Sequence, residues 1–352
     1  MNGPRDQRFP LGDFLLQGGR VLPEAHLEYR VHGPIEPGGA NVILYPSSYG
    51  GWPDDLDWLV GPVLDPTRWC VIQVSQFGGG RSSSPSNSAL GLRENGWSLS
   101  HIDNVRAQRR LLEEAFGIEA PALIYGWSMG AQQAYHWAVL EPERSPRICC
   151  VCGTARTTPH NRLFLLSLRH ALTADPAWQG EGFDAVPERG LRAFALIYAS
   201  WAASQAFYRR GGHRLLGHAD VEEYVERAWL PAYRRHDPHD LLAMLDVWLS
   251  NDVAVAAALA EPGADDPGDR ALAAALGRIR ARTTVIAATH DLYFPPADCA
   301  AEAALIPGSH FEQLDSDLGH RAGNPRDAPA EQAQLRAAVE RLRAAVERLL
   351  AD

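Results

Sequence analysis

Apolar residues along this chain gather into short runs separated by amphipathic stretches. Near the start, Phe14-Leu15-Leu16 and Leu27-Glu28-Tyr29-Arg30-Val31 flank Gly18-Gly19, which predicts a hairpin. Asn41-Val42-Ile43-Leu44-Tyr45 and Trp69-Cys70-Val71-Ile72-Gln73-Val74 predict two buried strands. Between Asp103 and Phe116, Val105, Leu111, Leu112, Ala115 and Phe116 recur on one side at the helical period, and Gly117 marks the end. Ala122-Leu123-Ile124-Tyr125 predicts the next strand, followed by a sharp turn and a helix to about Leu140, and Ile148 to Cys152 predicts another strand. Short apolar strands alternating with helices point to an α/β fold with a mostly parallel sheet flanked by helices.

The character changes from about Thr158 to Leu276. Helical patterns dominate, aromatic residues are frequent, and no buried strand is evident. Pro262-Gly263-Ala264-Asp265-Asp266-Pro267-Gly268 predicts an exposed loop closing this part. Thr283-Thr284-Val285-Ile286-Ala287-Ala288 and the shorter Phe311-Glu312-Gln313-Leu314 then resume the strand pattern. The organisation expected is a core of 1–157 completed by 277–352, with 158–276 inserted as a helical cap. Such a cap would lie over the carboxyl ends of the strands, where open α/β sheets bind substrates. The repeat Arg-Ala-Ala-Val-Glu-Arg-Leu at 336–342 and 343–349 spaces Leu335, Val339, Leu342, Val346 and Leu349 for one face. It is too short for a sustained heptad pattern and predicts a terminal helix packed on the sheet.

Composition narrows the function classes. A formal charge of −10 disfavours nucleic acid, whose phosphates it would repel. No run of 18 or more apolar residues exists, so no membrane span is expected. The first residues lack the apolar segment of a secretory signal, and a cytoplasmic protein is the expectation. Five cysteines, three of them in Cys149-Cys150-Val151-Cys152, suit neither a disulfide framework nor a zinc site and read as small buried hydrophobes. No metal is expected.

The chemistry centres on Gly126-Trp127-Ser128-Met129-Gly130, placed between a strand and a helix. A serine hydroxyl is a poor nucleophile until a base within hydrogen-bond reach takes its proton and a third group holds that base. In a nucleophile elbow the glycines allow the tight turn, and the amide after the serine faces the developing oxyanion. Ser128 is therefore the expected nucleophile and Met129 one oxyanion donor. The acid and base should follow on loops after later strands, and Asp291 and His320 stand there in that order. His290 and His310 are rival bases; Asp315 and Asp317 are rival acids. The second oxyanion amide is expected in Pro46-Ser47-Ser48-Tyr49-Gly50-Gly51, with Ser47 first and Ser48 second. Ser82-Ser83-Ser84 lacks the elbow setting and reads as a structural loop, and Gly78-Gly79-Gly80 lacks the spacing of a dinucleotide fingerprint, so no bound cofactor is expected.

At this point the chain resembles the homoserine O-acetyltransferase family of α/β-hydrolases over most of its length. The resemblance rests on Trp58-Leu59-Val60-Gly61-Pro62, on Leu64-Asp65-Pro66-Thr67-Arg68-Trp69, on Gly78 to Pro85 with Asn87, and on Asp103-Asn104-Val105-Arg106-Ala107-Gln108. The elbow, Arg169 to Trp178, Asp291-Leu292-Tyr293-Phe294-Pro295-Pro296 and Gly319-His320 extend it. It implies the α/β-hydrolase fold and a double displacement in which Ser128 takes an acyl group from a donor such as acetyl-CoA and passes it to a hydroxyl or amine. It also implies that Arg169 binds an acceptor carboxylate, against the alternative of a cap-packing arginine. Homodimerisation through the cap is a further implication.

Departures from the family redirect the substrate expectation. Arg321 stands where homoserine enzymes commonly carry an Asp that helps hold the acceptor's ammonium group. Trp127 and Ala131 replace glycines, and Trp127 either narrows the floor of the site or points into the core. The expected acceptor is therefore not homoserine but a larger or anionic metabolite, approached by Arg169, Trp127 and Ser48. The reading is a serine-dependent acyltransferase on small molecules. Its alternative is a hydrolase with water as acceptor (an esterase, thioesterase or amidase), since water access decides between them.

Overall fold

The computed structural model describes residues 5–90, 97–260, 268–324 and 343–351. Strands β1 (Gln7–Leu15) and β2 (Val21–His32) form the hairpin at one edge of an eight-stranded sheet. β1 reaches back seven residues beyond Phe14. The register shifts on either side of Gly12 break the two-residue alternation that marks a strand in sequence. Pro10 is tolerated there because β1 lies at the sheet edge and its missing N–H leaves no neighbour unpaired.

The remaining strands are β3 (Val42–Pro46), β4 (Cys70–Val74), β5 (Leu123–Trp127), β6 (Arg147–Val151), β7 (Arg282–Ala288) and β8 (His310–Leu314). Their order is β1-β2-β4-β3-β5-β6-β7-β8. β1–β2 and β2–β4 are antiparallel and every later pair is parallel. The chain order reverses at β3, whose neighbours are β4 on one side and β5 on the other. Such a switch point opens a crevice at the carboxyl ends of the strands. β3, β4 and the last four residues of β6 are wholly buried, which explains their unbroken apolar runs. Cys149 faces one apolar layer and Cys150 the other, and all five cysteines are buried and unpaired.

Helix α1 (His101–Arg110) starts two residues before Asp103. Ser100 caps it by accepting from the Asp103 amide, while the Asp103 side chain accepts from the Ser100 amide. The chain continues directly into a π-helical turn, Leu111–Ala115. Helix α2 (Met129–Leu140) is buried on all sides through Val139, as a central helix behind the sheet must be.

Between β6 and β7 the described residues add no strand to the sheet. They form α3 (Pro159–Thr173), α4 (Glu188–Ala202), α5 (Pro238–Leu249) and shorter helices. Aromatic rings tie this layer to the core: Tyr49 lies 5.7 Å from Tyr198, Tyr198 5.0 Å from Tyr233, and Phe164 4.7 Å from Tyr293. Rings of this kind bury large apolar areas in offset or edge-on contact. Residues 343–350 are helical, and Ala345, Val346 and Leu349 pack with Tyr45 and Tyr125 against the sheet. The first copy of the repeat, with Leu335, Val339 and Leu342, lies outside the described residues, as does nearly all of the loop from Pro262. Among the described residues no helix is long and apolar enough to cross a membrane.

Candidate active site

β5 ends at Trp127 and α2 begins at Met129, leaving Ser128 alone at the turn with φ 58° and ψ −124°. A side chain rarely adopts that conformation, and holding one there costs about 1–3 kcal/mol. The glycines make the turn sterically possible. A Cβ on Gly126 would lie 2.1 Å from the Gly130 carbonyl oxygen, and one on Gly130 would lie 2.6 Å from that of Pro46. Gly153, not singled out from sequence, completes the fit: a Cβ there would stand 2.6 Å from Ala131 Cβ and 2.8 Å from Ser128 O. The methyl group of Ala131 is accommodated against this bare backbone.

Asp291 follows β7 and His320 follows β8, and their side chains meet with Nδ1–Oδ2 at 2.7 Å. Both are buried. The other Asp291 oxygen accepts from the amides of Tyr293 at 2.8 Å and Phe294 at 3.1 Å. With its oxygens so engaged, Asp291 fixes the tautomer and orientation of the imidazole. Trp127 stacks on that ring at 4.9 Å and 27°, and its Nε1–H donates to His320 O at 3.4 Å. Trp127 thus faces the site. Gly323 makes room, since a Cβ there would come within 2.6 Å of the indole. Ser128, Trp127 and His320 line one cavity of about 420 Å³. Cys152 Sγ lies beside Asp291 and His320, but burial and the neighbouring carboxylate push its thiol pKa far up, so it stays protonated and unreactive.

The rival acids and bases do not line this cavity. His290 and His310 are exposed, and His310 approaches Glu312 at 3.7 Å. Asp317 pairs with Arg210 at 3.4 Å, and Asp315 takes a hydrogen bond from Thr289. The serine loop is structural: Ser82 Oγ and Ser83 Oγ accept from the Glu28 and His26 amides of β2.

Two expectations need correction. The Ser47 amide is not available to an oxyanion, because it extends the β3–β4 ladder by donating to Val74 O at 2.9 Å. Ser47 Oγ and O are also taken, by the Gln76 amide and Gln133 Nε2. The next residue, Ser48, lines the cavity, and its hydroxyl donates to Trp127 O. Its amide and that of Met129 donate to no acceptor among the described residues. Arg169, in turn, does not reach this cavity. It pairs with Asp246 between α3 and α5 and lines a separate surface cavity with Trp97 and Trp178.

Sequence reasoning missed the wall formed by Tyr49, Tyr198, Trp229 and Tyr233, and the grip on the loop after Ser48. Arg235 Nη2 donates to Gly50 O at 2.8 Å and also binds the Asp55 carboxylate. His236 Nε2 lies 3.1 Å from the same carbonyl, and Tyr49 Oη donates to Leu241 O at 2.9 Å. Burial and the Arg235 charge lower the His236 pKa to about 4, so the ring is neutral at pH 7.

A model of the α/β-hydrolase fold matches residues 36–194. The ethyl acetate hydrolase of Pseudomonas veronii is 38% identical over 316 residues, 88% of this chain and 87% of that protein. The monoclinic structure of the acetyl esterase MekB superposes with a TM-score of 0.89 at 34% identity, covering 99% of this chain and 97% of that one. A homoserine O-acetyltransferase of Clavibacter michiganensis subsp. michiganensis is 29% identical over 354 residues, 88% of this chain and 86% of that protein. The chain belongs to the α/β-hydrolase family. It is an enzyme of a divergent, homoserine O-acetyltransferase-like branch in which its more similar relatives are esterases.

Proposed function

We propose that this enzyme is a serine esterase for small carboxylic esters, with Ser128 as nucleophile, His320 as base and Asp291 holding the base. The observation that carries the proposal is the strained Ser128 in one cavity with a His320 already oriented by Asp291. Ser128 Oγ attacks the ester carbonyl carbon as its proton passes to His320 Nε2. The carbonyl oxygen, now an anion, is received by the Ser48 and Met129 amides. The carbon–alkoxy bond breaks, the alcohol leaves with the proton from His320, and an acyl-serine remains. Water, deprotonated by His320, then releases the acid.

Water replaces an acyl acceptor in this reading for two reasons. The esterase relative is nearer, at 38% identity against 29% for the acyltransferase. Arg169, the residue expected to bind an acceptor, is committed to Asp246 away from the cavity. The enzyme would need no bound cofactor and would act on small molecules in the cytoplasm; homodimerisation is part of the same proposal. The test is initial-rate hydrolysis of ethyl acetate and longer esters, with and without added alcohols, amines and acetyl-CoA. Hydrolysis without acceptor that Ser128→Ala abolishes supports the esterase. Negligible hydrolysis with rapid transfer from acetyl-CoA to an alcohol or amine would replace it with the acyltransferase.

A further inference from the structure

The Ser128 cavity has a net positive corner. Of the charged side chains lining it, Arg235 and Asp55 neutralise each other. Arg321, next in sequence to His320, also lines the cavity and makes no ion pair among the described residues. Among the described residues its guanidinium makes one hydrogen bond, from Nη1 to the phenol oxygen of Tyr224 at 3.3 Å, and stands 5.8 Å from the Phe207 ring. Tyr224 is buried and packs against His218, which lines the same cavity, with ring centroids 5.1 Å apart. A guanidinium has five N–H donors in a planar fork suited to a carboxylate. Here most of those donors have no acceptor among the described residues, in a half-buried wall where solvent screens charge less than at an open surface.

Resting on the esterase reading, we propose that Arg321 is a specificity-determining residue and that the preferred substrates are esters bearing a carboxylate. The carboxylate binds the Arg321 fork while the ester carbonyl lies at Ser128. The aromatic wall of Tyr198, Trp229 and Tyr233 covers the uncharged part between them.

The test uses charged and neutral esters matched in shape. 3-Acetoxypropanoate is compared with 3-acetoxypropanamide, which places the charge on the alcohol side. Monoethyl succinate is compared with ethyl succinamate, which places it on the acyl side. Each pair is run on the wild-type enzyme, Arg321→Leu and Arg321→Lys, with ethyl acetate as the reference ester. The wild type is expected to favour the carboxylate of one pair by about tenfold or more in kcat/KM, the effect of one charge-assisted hydrogen bond. Arg321→Leu should bring that ratio to about one whatever its absolute rates, and Arg321→Lys should restore part of it through charge alone. Equal kcat/KM within both pairs, with ethyl acetate hydrolysed normally, would overturn the inference and leave the esterase standing; Arg321 would then be a packing residue for Phe207 and Tyr224. A preference that survives Arg321→Leu would also overturn it. Failure of every ester would overturn the esterase reading, and this inference with it.

Discussion

Replacing Arg235 by Met should separate what the helical layer between β6 and β7 does for stability from what it does for catalysis. The substitution keeps the apolar stem and removes four interactions: the bonds to the Asp55 carboxylate, the bond to Gly50 O at 2.8 Å, the bond from Nε to His236 Nε2 at 3.3 Å, and the guanidinium 4.4 Å from the Trp52 ring. Removing one partner of a buried pair costs about 3–5 kcal/mol. Arg235 is 29% exposed and Asp55 10%, so partial screening reduces the expected loss to about 2 kcal/mol. Catalysis should suffer separately, because Gly50 lies two residues beyond Ser48, the proposed oxyanion donor. Loss of a whole donor costs about 10²–10³-fold in kcat. Ser48 keeps its hydroxyl bond to Trp127 O and its carbonyl bond from Gln76 Nε2, so the amide should drift rather than depart, and about a tenfold fall is expected. The assay is urea unfolding together with steady-state kinetics on Arg235→Met and on the double variant with Asp55→Asn. The second change removes the stranded carboxylate charge and should recover most of the stability while kcat stays low. A kcat within twofold of wild type in Arg235→Met, alongside the stability loss, would refute the link between this helical layer and the loop after Ser48.

Other expectations follow from the same geometry. Trp127→Ala should lower kcat about tenfold by freeing the His320 ring, whereas Trp127→Phe should retain the stacking and most of the rate; equal rates in both variants would show that the stacking is dispensable. Gly126→Ala should not accumulate as folded protein, because its methyl would stand 2.1 Å from Gly130 O. Ala131→Gly should cost only about 1 kcal/mol, measured by thermal or urea unfolding. His101 and His136 are buried beside each other, and burial pushes their pKa values from 6.5 down to about 3 and about 4. The unfolded chain therefore binds more protons than the native one below pH 6.5, and stability falls as pH drops through that window. The contribution at pH 5 should be a loss of about 2 kcal/mol per ring, and His136→Gln should remove about 2 kcal/mol of the acid-induced loss measured for the wild type; an unchanged loss in that variant would refute the assignment.

The parts of this enzyme legible in its sequence are those fixed by local pattern. Wholly buried strands such as Val42–Pro46 show as unbroken apolar runs, and the elbow is written in two glycines whose spacing the turn demands. Asp291 and His320 are recognisable because each stands on a loop after its own strand. Ser47 and Ser48 were not separable, since the choice turns on the β3–β4 ladder running one amide further, to Val74 O. Arg169 misled because which face of α3 meets the site is set by α5, and its partner Asp246 is 77 residues away. The orientation of Trp127 depends on Gly323, 196 positions along the chain, leaving space for the indole. The early start of α1 was readable in Ser100-x-x-Asp103, whereas the bulges at Gly12 hid the length of β1.

The central claim, that Ser128 carries the acyl group, is tested most directly by rapid acid quench of the enzyme turning over an acetyl ester, followed by intact and peptide mass analysis. The mechanism predicts an acetyl adduct on the peptide holding Ser128 that decays as free acid appears, and that is absent from a folded Ser128→Ala variant. An adduct on another residue, or turnover that persists in Ser128→Ala, would contradict it.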